Sequence, residues 1–239
     1  MPIIIWALAM LVTAAATAVQ GTVGLGFALI TVPLLALLHP DLAPEPQLFV
    51  MLPIVIAMAV RERHAIDLTG VAWLLAGRIP GAFLGVFLLG IASAAVLDFF
   101  IGVIVLAAVV VIGTGYHVRR TPMTKLLAGT ASGTTGVVAS IGGPAIALVY
   151  TREEAMTIRS TLAAVFTVGL STSIIFRWWS GHVTMGDVRT AVVLLPAAAA
   201  GLWTAIRVRE QVSREHVRLG VLLVCAAAAV ALIARSVLG

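Results

Sequence analysis

The residue that most constrains the chemistry of this chain is Arg78, set about ten residues into the otherwise uncharged run from Thr69 to Gly90. A run of that length fits a membrane-crossing helix and places Arg78 near the bilayer centre, where a charge costs roughly 2.5–3.5 kcal/mol even on insertion scales. Arg78 must therefore face a partner or a cavity. Its guanidinium can hold an oxyanion through two parallel N–H bonds; the alternative is a structural arginine bonded to carbonyls freed at a helix break. Two glycine-rich clusters supply the other candidates, one around Gln20, Thr22, Gly24 and Gly26, the other around Thr134, Thr135, Ser140, Gly142 and Gly143. Where a helix breaks at membrane depth, the free N–H groups that open its second half carry partial positive charge. Gly24, Gly26, Gly142 and Gly143 would let an anion approach such amides, and Thr22, Thr134, Thr135 and Ser140 could add hydroxyl donors. Gln20 could touch the anion or satisfy a freed backbone group. The same glycines would also serve close helix packing.

These residues need a scaffold, and composition says which kind. Of 239 residues, 61% are apolar and only 10% charged, whereas soluble domains sit near 45–50% and 25%. The chain reads as an all-α integral membrane protein, with length for on the order of eight or nine segments of about 20 residues. A cytosolic enzyme, a nucleic-acid-binding module and a disordered chain are all excluded. The lone cysteine, Cys225, lies in an apolar run and forms no intrachain disulfide. No basic region precedes the apolar N-terminal stretch, so a cleaved signal peptide is not expected.

Two apolar stretches are too long for one crossing. Ile3 to Leu38 carries no charge over 36 residues, about 54 Å as one helix, and must break at its glycine cluster. Residues 125–150 have the same character. Gly21-Thr22-Val23-Gly24 lies over Gly133-Thr134-Thr135-Gly136 at an offset of 112, and His64 lies over His182 at an offset of 118. The sequence therefore predicts two repeats in a single membrane domain. The first, 1–118, has a broken or re-entrant hairpin at 3–38 and helices at 48–60, 69–90 and 96–118. The second, 119–239, has a hairpin at 125–150 and helices at 158–176, 188–206 and 217–238.

Loop charge sets the direction of the hairpins, because Lys and Arg favour the cytoplasmic side of short loops. If each broken stretch returns to the side it left, Arg61, Arg63, Arg119, Arg120, Lys125, Arg152, Arg159, Arg207, Arg209, Arg214 and Arg218 share one face, opposite Arg177 and Arg235, a split of 11 to 2. A single crossing by the second stretch gives 7 to 6 instead. A hairpin plus three crossings is an odd number, so the repeats are expected to be inverted, as in many transporters. Both termini are then expected outside the cytoplasm, with the chain in the inner (plasma) membrane.

Other residues fit simpler roles. Asp67 and Asp187 read as helix N-caps, although with His64 and His182 they could serve proton coupling; Asp98 also reads as a cap. Arg189 could attract anions or snorkel to the interface. Arg177 with Trp178 and Trp179 fits an interfacial belt, as does Trp6. Pro33, Pro53, Pro80, Pro144 and Pro196 are expected to kink their runs.

The segments Gly21 to Pro33, Arg61 to Asp67, Gly77-Arg78-Ile79-Pro80-Gly81-Ala82-Phe83-Leu84-Gly85 and Gly142-Gly143-Pro144 resemble the sulfite exporter TauE/SafE family of membrane transporters over essentially the whole chain. The first glycine cluster departs from the family's frequent run of consecutive glycines, with Val23 and Leu25 interleaved. The resemblance implies secondary transport of small sulfur-containing anions such as sulfite or organosulfonates, in a family associated with their export or uptake; export is the direction expected here. Alternating access around the glycine-rich breaks would carry it, driven by a coupling proton or ion or by the substrate's own gradient. No cofactor is implied. An anion channel and a membrane scaffold remain alternatives, and a homodimer is one assembly left open. An intramembrane enzyme fits less well: no histidine falls within an apolar run and no two acids share one. His39, His64, His117, His182 and His216 fall at or beside connections, so neither a catalytic residue nor a metal ligand is expected.

Overall fold

The computed structural model describes residues 1–115, 118–150, 153–208 and 214–238, with backbone alone at 94, 214–218 and 238. All its long elements are helices: α1 (Ile3–Val23), α2 (Phe27–Leu38), α3 (Glu45–Arg61), α4 (Leu68–Ile91), α5 (Ala94–Thr114), α6 (Pro122–Ala139), α7 (Gly143–Tyr150), α8 (Ala155–Trp179), α9 (Met185–Val208) and α10 (Arg214–Leu238). Among the described residues, seven helical stretches, all but α2, α6 and α7, are long and apolar enough to cross a bilayer. The chain is a multi-pass membrane protein. Helix ends fall within a few residues of the expected ones, as fraying and capping allow.

Both long stretches break. The first does so where Gly24 (φ 93°) and Gly26 (φ 128°) take left-handed geometry, open at little cost only to residues without a Cβ. Val19 packs 2.9 Å from where a Cβ on Gly26 would sit, and Leu11, Ala15 and Val19 of α1 border one groove with Ile30 and Leu34 of α2. Thus α2 folds back along α1. The second stretch breaks later than its Gly136, because Val137 to Ala139 stay helical and Ser140 (φ 59°) takes the left-handed position. Its two ends meet on one carboxylate: Asp67, the N-cap of α4, accepts from Lys125 Nζ near the start of α6 (3.2 Å) and from the Tyr150 hydroxyl at the end of α7 (2.8 Å). Pro144 is the second residue of α7, where its missing N–H costs nothing, so it opens a helix rather than kinking one. Pro33, Pro53, Pro80 and Pro196 do lie inside helices.

Glycine sets the packing. Gly77, Gly81 and Gly85 of α4 meet the backbone or side chains of Leu126, Thr130, Thr134 and Val137 on α6. Gly201 of α9 meets the Ala14 carbonyl on α1 in the same way. Every main contact has a counterpart five helices on: α4 with α6 and α9 with α1, α3 with α9 and α8 with α4, α2 with α10 and α7 with α5. The helices α3 and α8 pack antiparallel on each other, and an ion pair closes each end. Glu62 beside α3 takes Arg159 bidentately (2.9 and 3.1 Å), and Glu45 at the start of α3 takes Arg177.

Several expected roles are corrected here. Arg177 belongs to no interfacial belt: it is 1% exposed, and it donates to the Val137 and Val138 carbonyls left free where α6 ends (2.7 and 2.8 Å). Trp178 and Trp179 do face outward. Lys125 and Arg159, expected among loop charges, are buried in ion pairs, because the hairpin end and the α3–α8 contact each present an acid. Asp98 does not cap α5. Ser93 does, accepting from Val96 N–H, while Asp98 pairs with Arg235 (2.6 Å). Thr184 holds the cap before α9, and Asp187 reaches back to its N–H (2.7 Å). Arg152, Arg209 and His117 lie outside the described residues, as do the side chains of Arg214, Arg218 and His216.

Two outcomes test this packing. Gly81→Val forces a Cβ into the Thr130 carbonyl and should lower the melting temperature in detergent by an overpacking cost of about 1–3 kcal/mol; Gly90→Ala, which meets open space, should not. Burial pushes the Asp67 carboxyl up, but hydrogen bonds from Gly70 N–H, Tyr150 and Lys125 and the Lys125 charge outweigh it and hold the group below its ordinary value. A depressed carboxylate stabilises the fold above its unfolded pKa, and this is lost as pH falls through the folded one. The gap in melting temperature between the parent and Asp67→Asn should therefore be full at neutral pH and close below about pH 4.

Candidate functional site

The two breaks face each other across one cavity. Gln20, Leu25, Gly26 and Leu29 line it from the first hairpin, and Gly136, Ser140, Ile141, Gly142, Gly143 and Pro144 from the second. Met51 of α3, Phe166 and Leu170 of α8, and Arg78 of α4 complete the wall. The half-helices α2 and α7 thus begin at the cavity, and each brings the partial positive charge of a helix N-terminus, about half an elementary charge.

Among the described residues, Arg78 is the one charged group lining this space. It is 4% exposed. Its Nη1 donates to the Ser132 hydroxyl of α6 (2.5 Å), and among the described residues no carboxylate pairs with it. Three glycines make room for the guanidinium. A Cβ on Gly136 would lie 2.7 Å from Nη2, one on Gly142 would lie 2.9 Å from Nη1, and one on Gly169 of α8 would overlap Nε and Cζ. A fourth, Gly133, lets α6 press against the Arg78 carbonyl. The helix crossing that buries Arg78 is therefore built of residues without side chains.

Ser140 adds a second unmatched polar group. It lines the cavity, is buried, and its Oγ has no hydrogen-bond partner. Buried hydroxyls are rarely left so. Gln20 stitches the first break: its Nε2 donates to the Gly24 carbonyl (2.8 Å) and its Oε1 accepts from Phe27 N–H (3.2 Å). It satisfies freed backbone groups while also bordering the cavity.

Of the residues singled out by sequence, the structure gathers Gln20, Gly26, Arg78, Ser140, Gly142 and Gly143 around the cavity. It does not bring the others there. Thr22 donates to Ala18 O, Thr135 to Ala131 O, and Thr134 to both Gly81 O and Thr130 O. These hydroxyls are committed to backbone carbonyls four residues back and, for Thr134, also to the neighbouring helix. Gly24 turns the chain against Arg159. Sequence reasoning missed Ser132, Gly136 and Gly169, which hold Arg78, and the apolar wall of Met51, Phe166 and Leu170. A glycine in the middle of the apolar run Ile158 to Phe176 was the one signal for Gly169.

The arrangement suits a small anion. It offers a fixed cation with donors besides the one bonded to Ser132, a free hydroxyl and two helix N-termini, against apolar side chains that exclude water. Among the described residues no carboxylate, histidine, cysteine or lysine lines the cavity, and no cluster of three metal-ligating side chains occurs.

A family model described as Sulfite exporter TauE/SafE matches residues 9–232, nearly the whole chain. No curated protein and no solved structure matches it.

Gly169→Ala should displace the Arg78 guanidinium. Titration of the purified protein with sulfite, followed by intrinsic tryptophan fluorescence or calorimetry, should show affinity lowered at least tenfold, about 1.4 kcal/mol, with the protein still folded by circular dichroism. Gly186→Ala, away from the cavity, should bind as the parent does.

Proposed function

Because the chain belongs to the sulfite exporter TauE/SafE family, we propose that it is a secondary transporter that exports small sulfur-containing anions such as sulfite or organosulfonates across the inner (plasma) membrane. One observation carries this reading: a buried arginine without a protein counter-charge stands where two broken helices open onto a shared cavity. A negative ligand supplies the missing charge. Arg78 holds it bidentately, Ser140 donates its free hydroxyl, and the amides opening α2 and α7 at Gly26 and at Gly142 and Gly143 complete the shell.

Alternating access is supported by the two ion pairs on α3 and α8, which flank the cavity wall formed by Met51, Phe166 and Leu170. Arg159 of one pair lies against Gly24 at the end of α1, and Arg177 of the other caps the end of α6. Each pair closes one end of the bundle beside one hairpin. Opening one while the other holds would expose the cavity to a single side. The pairing of contacts five helices apart supports two repeats, 1–118 and 119–239. The two hairpins reach toward opposite ends of the α3–α8 pair, which supports an inverted relation between them. Exposed Arg61, Arg63, Arg120 and Arg207 cluster near the end that carries Glu62 and Asp67, which supports a cytoplasmic position for that end and an extracytoplasmic one for both termini. A coupling proton or ion, or the anion gradient alone, drives the cycle.

Flux measurements test the proposal. Proteoliposomes loaded with labelled sulfite, sulfate, thiosulfate or methanesulfonate, and diluted into medium with and without the same unlabelled anion, should release at least one sulfur oxyanion in a saturable way in one medium or both, and Arg78→Lys, expressed at normal level, should lose at least tenfold in flux at low substrate. If no sulfur oxyanion moves, or Arg78→Lys transports like the parent, the site assignment is wrong. Conductance far above carrier turnover would make the protein a channel. A reporter fused after Gly239 should be active only outside the cytoplasm.

A further inference from the structure

Among the described residues, every other buried basic side chain has an acid. Lys125 has Asp67, Arg159 has Glu62, and Arg177 has Glu45. Arg78 alone is buried with a hydroxyl for its partner. Both ion pairs that close the ends of the α3–α8 contact are formed while Arg78 is 4% exposed. In this form its guanidinium meets little solvent and, among the described residues, no carboxylate.

We infer that the protein works as an obligate anion exchanger: it passes between its two open forms only with an anion on Arg78. The inference rests on the transporter reading above. Its reason is the cost of burying a charge, which is large for an isolated ion and falls when an opposite charge accompanies it. An anion-free carrier can keep Arg78 solvated by leaving one end open, but it cannot shut both without stranding the cation. A carrier loaded with a monoanion, such as hydrogen sulfite or a sulfonate, is neutral at the site and can. The return step therefore requires an anion from the opposite side, and the stoichiometry is one anion out for one anion in. No acid lines the cavity to offer an internal substitute. The counter-anion is any small oxyanion with the size and charge to fill the same shell.

The test compares two modes on one preparation. Proteoliposomes of the full chain are loaded with 35S-sulfite under anaerobic conditions, with the membrane potential clamped at zero by valinomycin and equal potassium. Efflux into medium containing unlabelled sulfite should be at least tenfold faster than efflux into sulfite-free medium. Equal rates in the two media, with saturable transport in both, overturn exchange while leaving the transporter reading intact. No movement in either medium sinks both. In Arg78→Gln, the slower efflux that remains above protein-free vesicles should depend on external anion with a ratio near one, because no cation is left to strand; efflux no faster than protein-free vesicles leaves the two-medium comparison on the parent to decide. A ratio as large as the parent's would show that Arg78 is not its cause and overturn the inference. Should that variant fail to insert, the two-medium comparison on the parent decides alone.

Discussion

The structure depends on keeping one guanidinium inside a membrane-embedded helix bundle without an ion pair. Arg78 sits in the middle of α4, and a bulky side chain at any of three neighbouring positions would push it out. Gly136, Gly142 and Gly169 come from α6, from the second break and from α8, so three separate pieces of chain must converge for the pocket to exist. Their convergence is what the glycine seam between α4 and α6 achieves. Backbone contact at Gly77, Gly81, Gly129 and Gly133 brings the helices close enough for Ser132 to reach Arg78. In lipid there is little hydrophobic drive between helices, and such small-residue contacts supply the packing instead.

The remaining buried charges follow the opposite rule. Each is matched, and each match ties together elements distant in sequence. Asp67 gathers both ends of the second hairpin onto the start of α4. Glu45 and Glu62 fasten α3 to α8 at the two ends of their contact, and Arg177 in addition satisfies carbonyls that the end of α6 leaves unbonded. Breaking such a pair leaves an uncompensated charge, which is costlier than the pair is stabilising. These contacts are thus well suited to hold a closed state firmly and to define which end opens. Against this background Arg78, buried with no acid beside it among the described residues, is the candidate for a functional group.

Much of the architecture was legible because the bilayer leaves the backbone few choices. Runs of apolar residues must be helices, and an uncharged stretch of 36 residues cannot be one straight crossing. Glycine clusters marked both breaks, although Ser140 rather than a glycine took the left-handed position of the second. Arg78 stood out for its place in an apolar run. What could not be read was the direction of side chains. Thr22, Thr134 and Thr135 have the right chemistry for an anion, yet their hydroxyls fold back onto carbonyls of the same or the adjacent helix, the usual fate of a threonine in an apolar helix. Arg177 looked interfacial beside Trp178 and Trp179, but successive helical residues point about 100° apart, and only the packing of α6 and α3 shows that Arg177 turns inward.

The sequence by itself determined that this is a multi-pass helical membrane protein with two broken elements and a charge at membrane depth, because hydropathy, glycine content and charge placement are properties of segments. The tertiary structure decided which acids meet which bases, that both breaks open on one cavity, and that Arg78 is the one buried base among the described residues without an acid. Those are properties of pairs separated by tens to more than a hundred residues, fixed by how helices approach one another. No periodicity within a segment encodes them.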